Sequence, residues 1–359
     1  MEKFTMKDYI YEVPQMMRDN IARCEELVRP FIDYIGDKTV NKIILVASGS
    51  SYNACYCAQP FMEKHLGIDV KVVAPFTFAN YEYDVAEEHL VLIVTQSGLS
   101  TNAIEALKKL RSTGHDAVCL TGNPNNDVKD YSDLVIDYGV GEELVGYVTK
   151  GVTALCLFLM LFSCIYAKKM DIIESIKKTV DLNGQMIQKT EEFIAKHYKH
   201  FSSMAQCYFC ASQANYGTAL EGALKLGETV HIPTGTYETE EYIHGPNLQL
   251  TPAYNVIIFD NNDHTSMRNH QIYLGTKEVT DHCFFISSNP EYADDEHVLY
   301  LEMDIECELL PLVYLPFVQL SSYIISTDLK SIFQHPLMKK FKAIADAKTA
   351  NFVNYDGDD

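Results

Sequence analysis

Apolar positions fall into short unbroken runs, separated by stretches with helical spacing. Residues 42–47 (KIILVA), 70–74, 90–95 (LVLIVT), 117–121 and 134–137 read as strands buried on both faces. Helices are expected between them: residues 14–36, with Met17, Ile21, Leu27, Val28 and Phe31 on one face, then 52–65, then a helix ending at Leu110. Strands alternating with helices imply a doubly wound parallel sheet. After a polar-faced helical stretch at 171–200 the alternation resumes. Strands are expected at 207–210, 256–259, 283–286 and 298–303, with a long helix at 218–231. The expected fold class is therefore α/β, as two three-layer αβα units, each with a mostly parallel five-stranded sheet. The expected division is an N-terminal helical segment at 1–40, a first unit at 41–170, a helical linker at 171–200, a second unit at 201–340 and a tail at 341–359.

Residues 151–167 are almost wholly apolar, between Lys150 and the pair Lys168 and Lys169. The run falls short of the about 20 residues that a bilayer core requires, so a helix buried on all sides is expected rather than a membrane span.

Composition narrows the function. The chain has 359 residues, 47% hydrophobic and 22% charged, which excludes disorder, a collagen-like chain and a simple coiled coil. Its 29 basic and 49 acidic residues give a net charge of −20. That field repels nucleic acid and anionic membrane, so neither is an expected partner. The acidic stretch 291–308 reads as a solvated surface. Cysteines such as Cys156 and Cys164 lie inside apolar runs, as reduced core thiols do. Cys207 and Cys210 share a strand at odd spacing and point to opposite faces, so no metal site is expected. The N-terminus lacks an apolar core of signal-peptide length, which points to a cytoplasmic protein.

Chemistry concentrates in three places. Two loops following buried strands, Ser48-Gly49-Ser50-Ser51 and Gln96-Ser97-Gly98-Leu99-Ser100-Thr101, offer hydroxyls and helix N-termini where ligands bind in open α/β sheets. They suit a phosphate monoester; ordinary helix capping is the plainer alternative. No GxGxxG or GxxxxGK[ST] is present, which argues against nucleotides. The third place is the helix Ala219–Glu228, where Glu221, Lys225 and Glu228 fall on one face. A solvated stripe would explain them, but Gly222 and Gly227 suggest close approach by backbone or ligand. His244 follows sixteen residues later, and a Glu with a His forms a competent proton-transfer pair.

These stretches, with Glu241-Tyr242-Ile243-His244-Gly245-Pro246, resemble the sugar isomerase (SIS) domains. They are most similar to the tandem pair in the isomerase part of glucosamine-6-phosphate synthases and to the fructosamine-6-phosphate deglycases. The resemblance runs from about residue 14 to about 340 and implies two flavodoxin-like units, a homodimer and no cofactor. It assigns a phosphosugar to the first unit, with phosphate held by Ser50, Ser51, Gln96, Ser97 and Ser100 beside Gly49 and Thr101. It assigns Glu228 the C1–C2 proton shuttle, Lys225 a place beside the reacting carbons, and Glu221 a supporting role. His244 would open the sugar ring, reaching the site from the partner subunit. The implied function is a phosphosugar isomerase or deglycase acting on an amino-sugar phosphate or fructosamine 6-phosphate; the alternative is a non-catalytic phosphosugar sensor. The chain enters the sugar part directly, so no glutaminase of its own is expected. Leu99 stands where the family often has Glu, and Val148-Thr149-Lys150 matches its Ser-Thr-Lys in part. For the family's Schiff-base lysine, Lys339, Lys340, Lys342 and Lys348 are all open.

Overall fold

The computed structural model describes residues 5–353. The first four residues of the expected N-terminal segment, and residues 354–359 of the expected tail, lie outside the described residues. The chain forms two compact units. The first combines Gln15–Ile173 with a returning segment that begins at Phe333; the second combines Met6–Pro14 with Glu174–Ile332.

The helical stretch expected at 14–36 is two helices, α1 (Met6–Ala22) and α2 (Cys24–Ile35), parted at Arg23 (φ −111°, ψ 24°). They serve different cores. Ile10 of α1 packs with Ile187 and Leu320 in the second unit. Phe31 of α2 packs on Phe162 in the first, ring centroids 4.4 Å apart.

In the first unit the chain runs β1 (Lys42–Val46), α3 (Ser50–Leu66), β2 (Asp69–Val73), β3 (His89–Thr95), α4 (Thr101–Arg111), β4 (Val118–Thr121), β5 (Leu134–Asp137) and α5 (Lys150–Tyr166). The strands are parallel in the order β2-β1-β3-β4-β5. The order reverses between β1 and β3, so the loops leaving their C-terminal ends flank an open crevice. The apolar run at 151–167 is α5, buried from Lys150 to Cys164 within the fold.

The second unit repeats the plan with α6 (Ile172–Lys196), β6 (Cys207–Ala211), α7 (Ala214–Thr229), β7 (Thr234–Glu238), β8 (Asn255–Phe259), α8 (Ser266–Lys277), β9 (Cys283–Ser287), β10 (Val298–Tyr300) and α9 (Pro311–Asp328). Its parallel order is β10-β9-β8-β6-β7, the same topology as the first sheet. The sequence pattern missed β7, which lies at the sheet edge with every residue only half-buried. β10 is shorter than the expected 298–303. The stretch Cys307–Asp328 is long and apolar enough to cross a membrane by length and composition, yet 89% of its most apolar window is buried inside the structure. It packs against α7, where Val318 lies 2.9 Å from the place a Cβ on Gly222 would take.

Candidate functional site

The crevice of the first unit opens into a cavity of about 510 Å³, a size typical of small-molecule sites. Ser48, Ser50, Ser51, Gln96, Ser97 and Ser100 line it, so both expected loops reach one space. Gly49 and Thr101 flank the lining. Gly49 holds the left-handed turn into α3 (φ +57°), a conformation that favours glycine. The Thr101 backbone N–H donates to Ala347 O at 3.1 Å. Neither Gly49 nor Ser100 caps its helix through a side chain, so the Ser100 hydroxyl is not spent on capping.

Of the lysines that the sequence left open, the structure brings Lys348 into this cavity. Its segment returns from the far end of the chain and pairs with the second loop. Thr349 N donates to Leu99 O at 2.9 Å, and Ser100 and Lys348 form an antiparallel bridge. Lys348 Nζ donates to Ser97 Oγ at 3.2 Å and to Ser100 Oγ at 3.1 Å. Burial pushes its ammonium below the usual lysine range, against the opposing pull of Asp346. Ser97 Oγ also accepts from Leu99 N (3.3 Å), and Ser100 Oγ from Thr95 Oγ1 (3.2 Å). Each hydroxyl thus accepts twice, which uses both lone pairs and leaves its own O–H to donate. Two such donors beside a buried amine form a seat for an anionic oxygen.

Gln96 is held on both sides. Its Nε2 donates to Glu143 Oε2 at 2.5 Å, and its Oε1 accepts from Tyr138 OH at 3.2 Å. Glu143 also receives the backbone N–H groups of Thr149 (2.8 Å) and Lys150 (2.7 Å) on Oε1, and of Gly151 (3.0 Å) on Oε2. Its carboxylate therefore sits on the N-terminus of α5, where the helix dipole favours a negative charge. Burial pushes the Glu143 carboxyl above its ordinary range, opposed by the bonds from Gln96 and these three amides. A Cβ on Gly151 would lie 1.7 Å from Gln96 Oε1, so only glycine admits the amide there. Sequence reasoning missed Glu143. The available signal was an acid shortly before a helix start.

In the second unit Glu221, Lys225 and Glu228 are one ion-paired row on α7. Lys225 Nζ lies 3.2 Å from Glu221 Oε1 and 2.5 Å from Glu228 Oε1. The row is no solvated stripe: the side chains of Glu221 and Lys225 are 0% and 1% exposed, and only Glu228 is reachable, at 30%. Burial drives the Lys225 ammonium towards neutrality, but the two carboxylates outweigh it and hold it above the usual lysine range. Gly222 is closely approached, but by side chains rather than by backbone or ligand, since a Cβ there would lie 2.6 Å from the Phe209 ring. Gly227 does not: a Cβ would meet Thr234 Oγ1 at an ordinary 3.4 Å. His244 stands on an exposed turn after Thr239–Tyr242; its backbone N–H donates to Glu241 O, and its ring acts electrostatically on Glu240.

The corresponding loops of the second unit are bonded to their surroundings. Asp260, fully buried at the end of β8, accepts from Ser266 Oγ (2.6 Å), Ser287 Oγ (2.8 Å) and Asn269 Nδ2 (3.3 Å). Asn261 Nδ2 donates to Ser212 Oγ at 2.9 Å and ties the two loops together. Among the described residues no group of three or more His, Cys, Asp or Glu is placed to hold a metal ion.

Comparison with known proteins agrees with this architecture. Residues 38–164 match the SIS domain family model. Glutamine–fructose-6-phosphate aminotransferase (isomerizing) of Caldanaerobacter subterraneus subsp. tengcongensis is 27% identical over 258 residues, 68% of this chain and 40% of that protein. The Sulfurisphaera tokodaii protein of the same name is 23% identical over 89% of this chain and 53% of its own length. The chain thus spans about half the length of these curated relatives. Among solved structures, a candidate phosphosugar isomerase of Clostridium difficile 630 superposes with a TM-score of 0.86 at 23% identity, over 96% of this chain and 100% of that one. The C-terminal domain of glucosamine-fructose-6-phosphate aminotransferase from Francisella tularensis gives 0.78 at 22% identity, over 94% and 98%. Residues 38–164 thus match the SIS domain, and the chain as a whole has the α/β fold of the phosphosugar isomerase structures on which it superposes.

Proposed function

We propose that this chain is an enzyme that binds a phosphosugar in its first unit and moves a proton between C1 and C2. Its substrate is an amino-sugar phosphate or a fructosamine 6-phosphate. The observation that carries the reading is the pair of hydroxyls on Ser97 and Ser100, saturated as acceptors by Lys348 and their neighbours and left to donate. Such a seat holds a phosphate oxygen despite the acidic charge of the whole chain. Ser50, Ser51 and Gln96 line the same cavity and add donors.

Lys348 is the lysine in reach of a sugar held there. With its ammonium destabilised by burial, its neutral amine is the form that adds to an open-chain ketone and releases water as the iminium forms; water then returns to that iminium and frees the lysine before the proton moves between C1 and C2. Glu228, the reachable carboxylate of the α7 row, takes the proton from one carbon and returns it to the other. Lys225 orients it, and Glu221 supports Lys225 from below. His244 opens the sugar ring, supplied by the partner in a homodimer. In the deglycase form, water adds to the C1 imine and the amine departs. No cofactor is required.

The test is proton NMR in D2O with glucosamine 6-phosphate, fructose 6-phosphate and fructosamine 6-phosphates of several amino acids. Deuterium entering at C1 or C2 is the expected result, and release of free amine separates deglycase from isomerase. Ligand-induced thermal stabilisation without exchange for any compound would overturn the enzyme in favour of a phosphosugar sensor.

A further inference from the structure

Glu143 lines the same cavity as Gln96 and holds the Gln96 amide. The two oxygens of its carboxylate receive four N–H donors: the Thr149 and Lys150 amides on one, the Gly151 amide and Gln96 Nε2 on the other. An ionised carboxylate only accepts, so the nitrogen of the Gln96 amide must face it. The opposite end of that amide meets Tyr138 OH. Burial, foremost, and the charge of Glu143 hold this phenol protonated, so it donates and the amide carbonyl accepts. Gly151, which carries no Cβ, is what admits the amide in this position. Gln96 lines the cavity; its second N–H is the donor left to it, while its carbonyl is turned towards Tyr138.

We propose that Glu143 is a positioning residue for phosphosugar recognition: it locks the Gln96 amide so that an N–H, and not the carbonyl, faces the ligand. The inference rests on the reading above, in which this cavity holds a phosphosugar. The cavity then selects ligand atoms that accept hydrogen bonds, such as phosphate oxygens and the carbonyl of an open-chain sugar. A glutamine at 143 would break the lock by more than its lost charge. One of its two side-chain ends would carry N–H groups towards donors that already point inwards, and rotating Gln96 to relieve the clash would present its carbonyl to the ligand.

The test is a double-mutant cycle on the full chain, reading the dissociation constant of fructose 6-phosphate by calorimetry. Glu143→Gln should weaken binding by about tenfold or more, the cost of misaligned donors in a buried site. The same change in a Gln96→Ala background should add less than about twofold, because the group it acts through is gone. Equal weakening in both backgrounds would show that Glu143 merely holds α5, and would overturn the proposal. Unchanged affinity of folded Glu143→Gln would overturn it too. Should Glu143→Gln not fold, Tyr138→Phe releases the other end of the amide and must show the same dependence on Gln96. If the wild-type chain binds no phosphosugar, the functional reading itself fails; if it binds but the cycle is additive, only the role of Glu143 does.

Discussion

The two units share a strand order and use its crevice in opposite ways. In the first, the loops after β1 and β3 turn hydroxyls and a glutamine towards open space. In the second, the loop after β8 is tied to the loop after β6 through Asn261 and Ser212, and the buried Asp260 is gripped from α8 and β9 by Ser266, Asn269 and Ser287. The topology supplies the crevice; whether it becomes a site depends on whether its donors are satisfied from within. The second unit turns its chemistry to the reachable end of the α7 ion-pair row instead.

The contrast predicts which changes cost activity and which cost stability. Glu228→Gln should have the largest effect, lowering C1–C2 deuterium exchange by about 10²–10⁴-fold, the range for a lost general base, with phosphosugar affinity retained. Exchange near the wild-type rate would remove Glu228 from the mechanism. Lys348→Met should weaken fructose 6-phosphate binding by roughly 10–100-fold while the melting temperature stays within a few degrees, since it removes the donor that orients the Ser97 and Ser100 hydroxyls. Asp260→Ala is its mirror image. It strands two serine hydroxyls and an amide in a dry interior, so urea unfolding should show a loss of about 1–3 kcal/mol with little change in ligand affinity. A stable Asp260→Ala chain, or one that loses phosphosugar binding, would break the division between the units.

The smallest effect concerns pH. His197 and His200 lie close to His282 and His297 beside Phe284, with Lys196, Glu296 and Asp281 around them. Burial first, then neighbouring imidazoles, lower both pKa values from 6.5. The unfolded chain therefore takes up protons before the folded one, and stability falls as pH drops through about 6.5 and below. The melting temperature should decline between about pH 7 and pH 5, and His200→Gln should flatten that decline.

Much of this arrangement is legible in the sequence, because it depends on local pattern. The runs at 42–47 and 90–95 mark buried parallel strands, and the serines that follow mark the loops of the cavity. What escapes is set by partners distant along the chain. β7 carries no apolar run because, as an edge strand, it never needs one. Lys348 differs in no local way from Lys339, Lys340 or Lys342; it is singled out by a backbone bridge to Ser100. The α7 row reads as a solvated stripe until the fold buries Glu221 and Lys225. Glu143 is one acid among many, and its role follows only from the amides of Thr149, Lys150 and Gly151.

The return of the chain to its first unit has a consequence for synthesis. Lys348 and Ser100 are 248 residues apart, with nearly all of the second unit between them. On the ribosome the serine loops emerge early and the lysine late, so a nascent chain halted before Phe333 holds the hydroxyls without the amine that orients them. The pairing of Lys348 with the serine hydroxyls therefore forms only after the second unit has been synthesised.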